Sequence, residues 1–150
     1  MGAELLGAVA GSILGVDLDE GAIDHAKVTH ASANIRFCRV AAEEFIYPSP
    51  ADMTVIIEAL EHFENPEEIL RNVRENTLYR IFISVPLGKT TDKNPFHKTD
   101  FVNPDKLGLM MQDEEWYLIH NAFQKMYPGE HLMMVWERRM ERKSDVANSS

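Results

Sequence analysis

A chain of 150 residues is one domain's worth, long enough for a single sizeable core and short for two. With 45% hydrophobic and 26% charged residues and no low-complexity block, it is globular and not disordered. The net charge of −9, from 24 acidic against 15 basic residues, repels polyanions and argues against nucleic acid as a partner.

In chain order, Glu4 to Ala10 is rich in Leu and Ala and reads as the last turns of a helix, broken by Gly11-Ser12. The apolar run Ile13-Leu14-Gly15-Val16 suits a buried parallel strand ended by Asp17. Asp19 is placed to cap the next helix, Glu20 to about His30, with Ala22, Ile23 and Ala26 on its apolar face. Ile35 to Val40 is the next strand and Tyr47 to Asp52 a loop. Met53-Thr54-Val55-Ile56-Ile57 is β-branched, uncharged and of strand length, and predicts a second buried strand that ends at Glu58. Asn65 followed by Pro66 and the acids Glu67 and Glu68 predicts a capped helix with Ile69, Leu70 and Val73 on one face. Arg80 to Val85 is another buried strand, stopped by Pro86, and Leu87 to about Val102 a long polar loop. Trp116 to Met126 and His131 to Arg138 flank Tyr127-Pro128-Gly129-Glu130, the pattern of an antiparallel hairpin, although the apolar spacing of the Trp116 segment also tolerates a helix. Residues 1–142 are expected to form one α/β domain with a mainly parallel sheet, and residues 143–150 a polar, frayed tail.

Cys38 has no partner for an internal disulfide and is expected to be a core thiol. A single free cysteine fits a reducing, cytoplasmic home. No run reaches membrane-spanning length, and Met1-Gly2-Ala3-Glu4 lacks the basic residues of a signal peptide, so no membrane partner is expected. Ser12, Ser49 and Ser84 have no Gly-x-Ser-x-Gly setting, which argues against a hydrolase. The six histidines show no i,i+4 pair and no cysteine partner, so no metal site is expected.

In doubly wound sheets ligands bind beyond the carboxyl ends of the strands. The residues there are Asp17, Ala41 to Glu43, Glu58 to His62 and Pro86 onward. An acid at Asp17 can accept hydrogen bonds from the vicinal hydroxyls of a ribose, or serve as a turn residue ahead of the helix.

Gly15-Val16-Asp17-Leu18-Asp19 with Ala22, Ile23 and Ala26 resembles the second strand and following helix of class I S-adenosylmethionine-dependent methyltransferases. Glu58-Ala59-Leu60-Glu61-His62-Phe63-Glu64-Asn65-Pro66 resembles the segment after that family's fourth strand, and Ile83-Ser84-Val85-Pro86 its fifth strand. The resemblance implies a Rossmann-like sandwich, strand order 3-2-1-4-5-7-6 with an antiparallel last pair, and S-adenosylmethionine as cofactor. It also implies that Asp17, with Leu18, contacts the cofactor's ribose, that Ala41-Ala42-Glu43 lies beside the adenine, and that Glu58, Ala59 and Leu60 line the floor near the sulfonium. His62 either orients the substrate or acts as a base, or else is a structural residue at a helix start. Ala41 departs from the acid the family often has there, and Glu43 is a candidate substitute.

The chain opens on a segment matching the helix that follows the family's glycine-rich loop, so the first strand and that loop are expected to be missing. Loss of a central strand leaves two edges without ladder partners, at about 1–3 kcal/mol per unpaired buried amide. An open edge invites pairing, which makes a homodimer through that edge one expected assembly. Two functions follow from the resemblance. One is a methyltransferase with a small-molecule acceptor, inactive if the glycine loop is required. The other is a non-catalytic methyltransferase-like remnant that binds a partner or serves a structural role.

Overall fold

The computed structural model describes residues 2–126 and 129–140. The chain forms two compact units, Met1–Ile46 and Tyr47–Ser150. The tail expected at 143–150 and the turn residues Tyr127 and Pro128 lie outside the described residues.

The first unit is built on a strand–helix–strand repeat. Helix α1 (Gly2–Gly7) precedes strand β1 (Ile13–Asp17), helix α2 (Glu20–Thr29) and strand β2 (Ile35–Arg39). The two strands are parallel, in register from Ile13↔Ile35 to Asp17↔Arg39. Asp19 caps α2 as expected, its Oδ1 accepting the Ala22 N–H at 2.6 Å. Asn34 fastens α1 to the start of β2, its Nδ2 donating to the carbonyls of Gly7 and Ala10 at 2.9 Å each. The Gly7 carbonyl is one that the end of α1 leaves without a partner. Gly15 is required by packing: a Cβ there would stand 2.7 Å from Cδ1 of the Phe37 ring on the neighbouring strand.

Two expectations fail in this unit. Leu14 and Val16 are 41% and 36% exposed, so β1 is parallel but not a strand buried on both faces. Cys38 is exposed. On β2 the alternation puts Ile35 and Phe37 on one face and Cys38 on the other, and only the first face is covered.

The second unit carries the main core. Strand β3 (Ala51–Ile57) leads through a 3₁₀ turn (Leu60–His62) to helix α3 (Pro66–Asn76) and strand β4 (Thr77–Pro86). Helix α4 (Pro104–Met110) and the long hairpin of β5 (Trp116–Met126) and β6 (Gly129–Arg138) follow. The sheet order is β3-β4-β6-β5, with β3 and β4 parallel and both pairings of β6 antiparallel. Leu60, Leu70, Ile81, Ile83, Phe101, Leu107 and Leu132 are fully buried. The face of α3 that packs inward is Ile69, Leu70 and Val73, as its spacing predicts.

The expected fold class is correct, a mixed α/β sandwich with a C-terminal antiparallel pair. The expected order appears as two sheets, β1-β2 and β3-β4-β6-β5, each with the neighbours anticipated for it. Three local expectations need correction. Met53 and Ile57 are 43% and 55% exposed, because β3 is an edge strand whose ladder lies on one side only. Asn65 makes no side-chain cap; its backbone carbonyl accepts the Glu68 N–H at 3.2 Å, and α3 starts on Pro66 and the acids behind it. Helix α4 was not anticipated, although Asn103-Pro104-Asp105 repeats the same start signal, and here the Asn does cap, accepting from the Lys106 N–H at 3.1 Å.

Candidate functional site at the carboxyl ends of the strands

Because β1 and β2 are parallel and in register, their carboxyl ends lie together. The Val40 N–H donates to the Asp17 carbonyl at 3.0 Å, so the segment leaving β2 starts beside the residue that ends β1. Asp17 is exposed, and one carboxylate oxygen, Oδ1, accepts the Asp19 N–H at 2.9 Å. That bond fixes the side chain and leaves Oδ2 for a ligand. Leu18 is exposed, and its carbonyl accepts from Arg39 Nε at 3.2 Å. Ala41 and Ala42 are half-buried in a turn closed by Glu44 N–H to the Ala41 carbonyl at 3.0 Å, and Glu43 points to solvent. The first unit thus brings Asp17, Leu18, Ala41, Ala42 and Glu43 to one end of its sheet.

At the carboxyl end of β3 the chain turns sharply. Glu58 has φ +48°, a left-handed conformation that costs a side-chain-bearing residue of order 1–3 kcal/mol. Three contacts hold it there. Its N–H donates to the Ser84 carbonyl at 3.0 Å, and Ser84 Oγ donates to Glu58 Oε1 at 2.7 Å. Nδ1 of His131, at the start of β6, lies 2.6 Å from Glu58 Oε2. The approach is off the ring N–H direction, so it is a close polar contact and not an aligned hydrogen bond. The third cofactor candidate of this segment, Leu60, is fully buried, so only its backbone can face a ligand; Ala59 is half-buried.

Beyond this turn the loop after β4 folds back onto the 3₁₀ turn. The Glu61 carbonyl accepts the N–H groups of Lys98 and Thr99 at 2.7 and 3.0 Å, and Thr99 Oγ1 donates to the Phe63 carbonyl at 2.9 Å. Asp100 anchors the other limb. It accepts from the Thr90 and Thr91 N–H groups at 2.7 and 2.8 Å and from both threonine hydroxyls, which holds its carboxyl down at about 2. The loop therefore seats His97 against His62, with ring centroids 4.9 Å apart and the rings edge to face. Burial, and then the neighbouring His62, lower the His97 pKa and favour the neutral ring. Glu61 is 2% exposed, and burial is the main cause raising its carboxyl pKa.

Sequence reasoning named Glu58 and His62 but missed the Ser84 and His131 contacts and the role of Glu61. A readable signal existed for His131. A hairpin turning at Gly129 sets the start of β6 beside the end of β4, and the register pairs Pro86 with His131. A concavity of about 410 Å³, lined by Asp52, Met53, Tyr79 and Arg80 among others, lies at the opposite, amino end of β3 and β4. Strand carboxyl ends, not amino ends, present the turns and helix starts that hold ligands in such folds.

The family model described as a methyltransferase domain matches residues 1–76, half of the chain. The chain belongs to the methyltransferase-domain family. S-adenosylmethionine is the methyl donor of these class I enzymes, and the matched stretch contains every candidate cofactor residue from Asp17 to Leu60. Among solved structures, this methyltransferase domain is similar to a methyltransferase described as putative from Bacillus halodurans C-125, with a TM-score of 0.79 at 9% identity, covering 92% of this chain and 87% of that one. It is also similar to the N-methyltransferase NodS from Bradyrhizobium japonicum WM9 in complex with S-adenosylhomocysteine, with a TM-score of 0.76 at 12% identity, covering 91% and 71%. A third is magnesium protoporphyrin IX methyltransferase from Synechocystis PCC 6803 with bound S-adenosylhomocysteine, with a TM-score of 0.73 at 11% identity, covering 91% and 68%. At such identities the likeness concerns the fold. No curated protein sequence matches the chain. No helix among the described residues is long and apolar enough to cross a membrane.

Proposed function

We propose that this methyltransferase domain transfers the methyl group of S-adenosylmethionine to a small-molecule acceptor in the cytoplasm. The observation that carries the reading is the placement of Asp17. It is an exposed acid at the carboxyl end of β1, fixed through Oδ1 and open at Oδ2, inside the matched stretch. When bound, the cofactor supplies an electrophilic methyl group on a sulfonium. Asp17, with Leu18, holds the ribose hydroxyls; Ala41 and Ala42 are small enough to admit a flat ring, and Glu43 is the nearby acceptor for its amino group. Glu58, Ala59 and Leu60 form the floor on the sulfonium side, with Glu58 locked by Ser84 and His131.

His62 is the acceptor-side residue of this reading. Its Nδ1 lies 3.1 Å from the Phe96 carbonyl, which can only accept, so Nδ1 carries a proton, and in the neutral ring Nε2 is the acceptor. The acceptor class is inferred from the net charge of −9, which disfavours polyanions, and from the structural relatives NodS and the magnesium protoporphyrin IX enzyme. The open edge of β3 is where a second copy would add in a homodimer.

Amide chemical-shift mapping with S-adenosylhomocysteine tests the residue assignments. Shifts are expected at Leu18, Ala41 to Glu43 and Glu58 to Leu60. Shifts confined to the Asp52 and Arg80 concavity would refute them.

A further inference from the structure

We infer that Glu61, His62 and His97 form a binding site for one divalent first-row transition cation of the zinc type. Each residue offers one ligand atom, and the three atoms lie within 4.8 Å of one another. All three belong to the second unit, so the site is complete within it.

The state of each group fits a ligand. Glu61 is 2% exposed, its Oε1 is 3.9 Å from His62 Nε2, and its Oε2 is buried without any hydrogen-bond partner. Buried polar atoms are almost always satisfied, and a buried carboxylate must be paired, protonated or bound to a metal. The two imidazoles are each held with Nδ1 as donor. For His62 the partner is the Phe96 carbonyl. For His97 it is Thr90 Oγ1 at 2.8 Å, which accepts from the ring when its own hydrogen goes to Asp100 Oδ1 at 3.3 Å. In that tautomer the Nε2 lone pairs are the ones that face a metal. Fixing one imidazole nitrogen by an N–H bond to a carbonyl or hydroxyl is how proteins orient histidine ligands to metals.

Two neutral imidazoles and one carboxylate suit zinc, cobalt or manganese better than magnesium or calcium, which prefer all-oxygen shells. Metal–ligand bonds of about 2.0–2.1 Å put tetrahedral ligands about 3.3 Å apart. Binding closes ligand atoms that now lie within 4.8 Å of one another, on backbone already tied by Lys98 and Thr99 to the Glu61 carbonyl. Three protein ligands leave a coordination position for water or an acceptor oxygen. The cation site stands on this cluster alone; its use in holding an acceptor rests on the methyltransferase reading, in which His62 would then act through the metal.

The test is titration of the chelator-treated full chain with Co²⁺, followed by visible absorption, then displacement by Zn²⁺. Neither step requires cofactor binding or turnover. One equivalent of Co²⁺ should develop ligand-field bands that Zn²⁺ abolishes. Glu61→Gln and His97→Asn should weaken binding at least about tenfold, and His120→Asn, an exposed histidine elsewhere, should not. Circular dichroism identifies a variant that fails to fold, and His62→Asn, at a half-exposed position, supplies the same test if Glu61→Gln does fail. Absence of bands at millimolar Co²⁺ would overturn the proposal, leaving Glu61 as a buried acid with no metal role. Equal binding in wild type, His62→Asn and His97→Asn would overturn it as well.

Discussion

Replacing Asp100 with Asn should destabilise the second unit, and the loss should depend on pH in a defined direction. Asp100 accepts two backbone N–H groups at 2.7 and 2.8 Å and two threonine hydroxyls at 3.3 and 3.0 Å. These bonds lower its pKa from 3.8 to about 2. A group depressed on folding contributes stability that is fully present above its unfolded pKa and is lost as pH falls through the folded value. The window is therefore from about pH 4 or 5 down to about 2. A shift of that size corresponds to at most ~2.5 kcal/mol, and solvent access to this half-buried surface group reduces it to about 1–2 kcal/mol. Urea unfolding of wild type and Asp100→Asn at pH 7, 4 and 2 measures it, since the difference between the proteins cancels the other carboxylates. The variant should be about 1–2 kcal/mol less stable at pH 7. The gap should narrow at pH 4 and shrink further at pH 2. A difference that is constant with pH, or that grows toward acid, would refute the assignment of Asp100 as the charged anchor of the loop.

Leu70 is fully buried on the inward face of α3, so Leu70→Ala should cost about 2–5 kcal/mol in the same unfolding assay; a loss under about 1 kcal/mol would contradict its place in the core. Cys38, exposed on β2, should react with an aromatic disulfide reagent in the native protein nearly as fast as in urea. Strong protection of that thiol would contradict the uncovered face of the two-stranded sheet.

Local signals in the sequence carried the element order well. Apolar runs located β1, β2, β3 and β4, and the Asp19 cap and the Pro66 start located α2 and α3. Run composition did not reveal how many ladder partners a strand has. That is why β1 and β3 were expected to be buried while Leu14, Met53 and Ile57 are exposed. The same limit applies to the site. Asp17 ends β1 and Glu58 directly follows β3, and both are legible from position alone. His97 meets Glu61 and His62 only because the loop after β4 folds back through backbone bonds at Lys98 and Thr99, a non-local event with no periodic signature. The tautomers of His62 and His97 likewise depend on partners, Phe96 and Thr90, that the linear spacing does not pair.

The central claim is that the acid ending β1 holds the ribose of a bound methyl donor. Isothermal titration of the chain with S-adenosylmethionine and S-adenosylhomocysteine, repeated on Asp17→Ala, addresses it most directly. The account predicts binding in the micromolar range by wild type, weakened at least about tenfold in the variant, the ~1.4 kcal/mol expected for hydrogen bonds to a charged acceptor. Absence of heat up to millimolar ligand, or equal affinity in the two proteins, would contradict it.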